Sequence, residues 1–160
     1  MVSDSSPLRA LSHLRVVRHL PELFGVVFVP SEVANELDAW PDRPKFAQSD
    51  DWKLIATIRN VSADTWHEGI PKSLGPGESA AIALARELNA LLLLVDDRSA
   101  RRAATTLGLQ PIGVIGVLAA MRNMRLIDSV APLIRTIRDE LQFAVADSIV
   151  ERVLRELGEA

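Results

Sequence analysis

The stretch from Leu91 to Arg102, LLLLVDDRSARR, constrains the fold more than any other part of the chain. Its apolar residues, Leu91 to Val95, run without alternation between polar flanks and are too few for a helix. That is the pattern of a strand buried on both faces of a parallel sheet. The run stops at Asp96 and Asp97, which sets two carboxylates at the carboxyl end of a buried strand, where open α/β sheets keep their ligand sites. Arg98, Arg101 and Arg102 follow at spacings of three and four and share one face of a helix. Acids beside a basic helix face suit a metal next to a phosphate. They suit equally well a helix-capping aspartate followed by a solvated face, so the rest of the chain has to discriminate.

Composition removes several classes. A chain of 160 residues with 48% hydrophobic residues and a net charge of −3 is expected to form one globular domain over 1–160, with a proper core. No run approaches the roughly 18 apolar residues of a membrane span. The opening MVSDSSPLRAL lacks the basic-then-apolar order of a signal peptide. The absence of cysteine excludes disulfides and thiolate metal sites and fits a reducing compartment such as the cytoplasm. Mild acidity argues against a large, purely electrostatic nucleic-acid binder but leaves room for a local basic face. Of the 18 basic residues 15 are Arg, the better bidentate partner for phosphate; genome base composition gives the same bias.

Along the chain, Met1 to Ser3 reads as the end of a short strand and Asp4 follows it. Ser6 as N-cap and Pro7 as first residue predict a helix to about His19, broken near His13, then a short turn to Leu23. Val26 to Val29 is a second candidate buried strand, stopped by Pro30, with Ser31 as the next N-cap. On the helix that follows, Glu36 lies two turns past the strand end, near enough to reach back over it. Asp38 to Asp51 reads as a loop, pinned by Trp40 and Phe46. A helix over Trp52 to Ile58 and an edge strand over Arg59 to Ser62 follow, then an irregular stretch from Asp64 to Leu74. Gly75-Pro76-Gly77-Glu78 opens a largely buried helix with a carboxylate in its first turn. The Asp97 helix runs to about Leu107, closed by Gly108, and a short strand or turn lies near Pro111-Ile112. Val114 to Met121 is helical. Two amphipathic helices end the sequence, the second with the stripe Ile149, Val150, Val153, Leu154 and Leu157, which suits either core or a partner surface.

Strands alternating with helices imply a three-layer α/β/α domain with a central parallel sheet. In such a sheet Asp4, Asp96 and Asp97 share one edge, and Glu36 and Glu78 sit on helices that can face it. Five acids without a Cys or an obvious His partner form a hard-oxygen set suited to Mg²⁺ or Mn²⁺. Taken singly, each has an ordinary explanation: a turn acid at Asp4, a solvated Glu36, a dipole-stabilising Glu78, a capping Asp97. Together they would repel one another without a cation.

These segments resemble the PIN-domain family, specifically its group described as a domain of unknown function with predicted nucleic-acid binding. VSDSSPLRAL resembles the opening strand, acid and small hydroxyl residues of that family; VPSEVANEL its second motif, with Glu36; GPGESAAIALARELNA its third, with Glu78. LLLLVDDRSARRAATTLGLQPIGVIGVL resembles the fourth motif and its extension, with Asp96 and Asp97. Asp38 to Leu74 carries no matching motif. The resemblance implies a Mg²⁺- or Mn²⁺-dependent ribonuclease whose metal-binding and catalytic acids are Asp4, Glu36, Glu78 and Asp96 or Asp97. It also implies a toxin paired with an antitoxin protein, and a homodimer. Two departures bear on activity: Glu78 stands where the commoner pattern has Asp, and DDRSAR stands where a DxDF-like ending is frequent.

The expected function is hydrolysis of single-stranded RNA, with Arg98, Arg101 or Arg102 on the substrate phosphate and no membrane association. The rival reading is a non-catalytic nucleic-acid-binding or regulatory module with the same fold. A phosphatase of the haloacid-dehalogenase type needs an Asp-x-Asp after the first strand, and Asp4-Ser5-Ser6 does not supply it.

Overall fold

In the computed structural model, which describes residues 1–40, 50–65 and 69–159, the apolar run is a strand, but a shorter one than its composition suggests. Strand β4 is Leu93–Leu94, Val95 is buried beyond it, and Leu91 is 83% exposed. Strand β1 (Val2–Ser3) pairs with β4 on one side and with β2 (Val27–Pro30) on the other. Strand β3 (Ala56–Arg59) forms one edge and β5 (Pro111–Ile112) the other. The order is β3-β2-β1-β4-β5, and every pairing is parallel.

Successive strand residues point to opposite faces, and this splits the core in two. Val27, Val29 and Leu94 face one layer. It is built from α1 (Ser5–His13), α3 (Ser31–Asp38), α7 (Val114–Asn123), α8 (Ala131–Leu141) and α9 (Asp147–Leu157). Val2, Leu93 and Val95 face the other, built from α5 (Pro76–Glu87) and α6 (Arg98–Thr106). Both faces of β4 are therefore covered, which is why its sequence does not alternate. The result is the expected three-layer α/β/α arrangement.

Several boundaries differ from the sequence reading. Helix α1 begins at Ser5, so Asp4 rather than Ser6 occupies the N-cap position. It ends at His13, and Arg15 takes a left-handed conformation with φ of 59°. A 3₁₀ turn (Val17–His19) and helix α2 (Leu20–Phe24) replace the expected continuation and turn. Pro30, not Ser31, is the N-cap residue of α3, because proline's extended ψ of 153° ends the strand and enters the helix in one step. Helix α4 (Asp50–Ile55) stops early enough for the edge strand to start at Ala56 rather than Arg59. Phe46 and most of the expected loop lie outside the described residues; Trp40 lies under the Arg9 guanidinium, 4.4 Å from its ring centre.

The C-terminal stripe is mostly intramolecular. Val150 and Val153 are buried in the first core, Leu154 and Leu157 pack against it, and Ile149 remains 41% exposed. Glu159 fastens this end. It accepts hydrogen bonds from Ser129 Oγ, from the amides of Val130 and Ala131 at the start of α8, and from Arg122 Nε on α7. No helix of the described residues is long and apolar enough to cross a membrane.

Candidate active site

The strand order fixes where ligands can approach. From β1 the chain adds β2 and β3 on one side, then places β4 and β5 on the other. Asp4 and Asp96 follow the carboxyl ends of β1 and β4, the adjacent parallel strands that flank this switch point. Crevices at such points are where open α/β sheets bind ligands.

Asp4 is 3% exposed, and its Oδ1 is buried without a hydrogen-bond partner. Burial pushes its carboxyl up to about 7, and the charges of Glu36 and Glu78 add to the effect. The Ser5 and Ser6 amides pull the other way, although no cap hydrogen bond to the Asp4 side chain is formed.

Glu36 reaches back from α3 as its position suggests. Its Oε2 accepts from Ser5 Oγ at 2.6 Å and its Oε1 from the Gly77 amide at 3.0 Å, so one carboxylate joins the starts of α1 and α5. Glu78 Oε2 accepts from the Gly75 amide at 3.0 Å. This is half of a capping box; the reciprocal bond needs a side-chain oxygen at the N-cap, which glycine lacks.

The two adjacent aspartates separate cleanly. Asp97 is the N-cap of α6, with Oδ1 accepting from the amides of Ser99 (2.7 Å) and Ala100 (2.8 Å). Asp96 turns the other way. Its Oδ1 accepts from the Val114 amide at 3.0 Å, and its Oδ2 is buried without a partner. Burial raises its carboxyl to about 6, partly offset by the Val114 amide and the charge of Arg101. Arg101 is itself engaged, donating from Nη1 to the Val95 carbonyl at 3.0 Å. Arg98 and Arg102 project from α6 into the same cleft that Asp96 lines.

Three contributors were not singled out by sequence reasoning. A Cβ on Gly77 would overlap the Glu36 carboxylate, and one on Gly113 would lie 2.6 Å from Asp96 Oδ1 and 3.1 Å from Arg101 Nη1. Both glycines leave room for an acid, and Ser5 holds one. The legible signal was glycine in the first turn of a good helix, at Gly77, and immediately before another, at Gly113.

The donor set fits a hard divalent cation in chemistry and location: carboxylates at one sheet edge, two of them with an orphaned buried oxygen. It is not closed into a shell. Among the described residues no three His, Cys, Asp or Glu side chains are gathered tightly enough to hold an ion. Glu36, Glu78 and Asp97 are tied to backbone amides instead.

The family model DUF3368, described as a PIN domain, matches residues 1–159. The chain belongs to the PIN-domain family, a nuclease-type fold. No curated protein and no solved structure matches it.

Proposed function

We propose that the chain is a metal-dependent ribonuclease, with residues 1–160 acting as one PIN-like unit in the cytoplasm. The observation that carries this reading is the buried Asp4 carboxyl, placed beside Glu36 and Glu78 with one oxygen left unpartnered. A purely structural buried aspartate would have both oxygens satisfied. Asp4 and Asp96, with Glu36 and Glu78, would hold Mg²⁺ or Mn²⁺; Asp97 is occupied as a helix cap. A divalent ion there supplies water activation and neutralises developing charge at the phosphodiester.

The chain's own groups do the rest. Burial raises the Asp4 carboxyl to about 7, so near neutral pH it would give up its proton readily to a cation held there. Ser5 and the Gly77 amide hold Glu36 in place. Arg98 and Arg102 hold a substrate phosphate, and Arg101 steadies Asp96 while adding positive charge. Single-stranded RNA is the substrate class that the family resemblance supports. The finer form of this reading, a toxin paired with an antitoxin and working as a homodimer, rests on family resemblance alone. The C-terminal stripe, being largely core, gives the dimer little support.

A second reading, a non-catalytic nucleic-acid-binding or regulatory module, is favoured by one observation: three of the five acids are satisfied by amides without any ion. Cleavage of a labelled single-stranded RNA in Mn²⁺ separates the two. The nuclease reading expects Asp4→Asn to lower the rate at least about 100-fold, a large share of what metal activation of water contributes. If the unaltered protein cleaves no more than Asp4→Asn while both bind RNA equally, the module reading replaces it.

A further inference from the structure

A cleft of about 1120 Å³ runs between α6 and α9, beginning at Asp96. Arg98, Arg101 and Arg102 form one wall, and Arg152, from α9, stands in the other. Among the described residues Asp96 is the only acid that lines it. Among the described residues Arg98, Arg102 and Arg152 have no ion-pair partner. Ile115, Ile149 and Val153 give the cleft apolar surface between its basic walls.

We infer that this cleft is a second part of the nucleic-acid site, in which α9 and Arg152 grip single-stranded RNA beyond the nucleotide at Asp96. The inference rests on the nuclease reading for its substrate class but adds a wall and a residue that reading does not use. Charge complementarity commits it to a polyanion. A chain of net charge −3 gathers four arginines around one acid here, and three of them are unpaired. The guanidinium's planar fork suits phosphate oxygens better than a lysine would. Shape fits an extended ligand, because the cleft is open along its length and carries arginines on both walls. The free arginines argue for an unpaired strand, since exposed bases stack on guanidinium planes while a duplex hides them. Exposure of Ile149, at 41%, is then useful rather than a packing defect. Anchoring of Glu159 to α8 holds the Arg152 wall in position.

The test measures binding apart from cleavage. Fluorescence anisotropy of a labelled 12-nucleotide single-stranded RNA in EDTA is followed across salt concentrations for the unaltered protein, Arg152→Ala, Arg152→Lys and Arg102→Ala. A labelled 12-residue polyglutamate peptide is the second probe. Arg152→Ala and Arg102→Ala should each weaken RNA binding about 5- to 10-fold and lower the slope of log affinity against log salt by about 0.7, the loss of one phosphate contact on a single strand. Arg152→Lys should recover the salt slope but only part of the affinity. Unchanged affinity and slope in Arg152→Ala overturn the inference. So does polyglutamate binding that depends on Arg152 when RNA binding does not, which would make the cleft a site for an acidic protein segment. RNA bound through Arg152 but never cleaved would leave this inference standing and remove the nuclease reading. RNA cleaved with an unchanged KM in Arg152→Ala would do the reverse.

Discussion

Glu36 accepts a hydrogen bond from the amide of Gly77 at 3.0 Å, across 41 residues of sequence, and so fastens helix α3 to the entrance of α5 beside Asp4. The contact exists because residue 77 has no Cβ: any side chain there would occupy the space of the Glu36 carboxylate. Local propensity and site geometry thus oppose each other at one residue, which is where a functional constraint leaves a mark in sequence.

Gly77→Ala follows from this opposition. Alanine favours the helix by up to about 1 kcal/mol over glycine, and the group it displaces is the far end of a flexible side chain. Stability should therefore change by less than about 1 kcal/mol in chemical denaturation. Mn²⁺ affinity and RNA cleavage should fall at least about tenfold, because Glu36 is moved. Unchanged metal binding would show that the position of Glu36 is irrelevant to the site.

Asp4 and Asp96 predict the pH dependence of the metal-free protein. Each has a folded-state pKa above the ordinary aspartate value of 3.8, about 7 and about 6 respectively. The folded state therefore binds these protons more tightly than the unfolded state. The stability they contribute is complete below about pH 4 and is lost as pH rises through 6 to 7. At pH 8 without metal, Asp4→Asn should be more stable than the unaltered protein by roughly 1–3 kcal/mol, somewhat less than the full ionisation cost because the buried amide also lacks partners. Saturating Mn²⁺ should raise the unaltered protein's melting temperature more at pH 8 than at pH 5. A melting temperature indifferent to pH between 4 and 8 would mean that these carboxyls are not buried as described.

The neighbouring aspartates should separate by experiment as they do in space. Asp97→Ala removes the two hydrogen bonds that the Ser99 and Ala100 amides donate at the start of α6 and should cost roughly 0.5–2 kcal/mol of stability, the usual loss of an N-cap. It should leave Mn²⁺ affinity within about twofold. Asp96→Asn should do the opposite, keeping the Val114 contact through its carboxamide oxygen while metal binding drops. Calorimetry and thermal melting of the two variants together check both halves.

The parts of this protein written in local pattern were legible without coordinates. The covered strand at Leu93–Leu94, the buried α5 helix and the helix-linked parallel order all follow from runs and periods, and they placed Asp4, Asp96 and Asp97 at one edge. Boundaries were less legible where one residue can serve two roles, as Pro30 and Asp4 do at strand-to-helix junctions. Asp97 as a helix cap was among the local readings, but the partner of Asp96, the Val114 amide 18 residues on, is a contact that no local pattern encodes. The cleft wall at Arg152 depends on α9 folding back beside α6, and in sequence that arginine is simply one polar residue of an amphipathic helix.

If Asp4 and Asp96, following neighbouring strands, serve one ion, each must contribute to its affinity. Isothermal titration of the metal-free protein with Mn²⁺ at pH 7.5, alongside Asp4→Asn and Asp96→Asn, tests it most directly. The unaltered protein should show a saturable site, and each variant should lose at least about tenfold in affinity. Absence of saturable binding in the unaltered protein, or a variant of either aspartate that binds Mn²⁺ as the unaltered protein does, would contradict it.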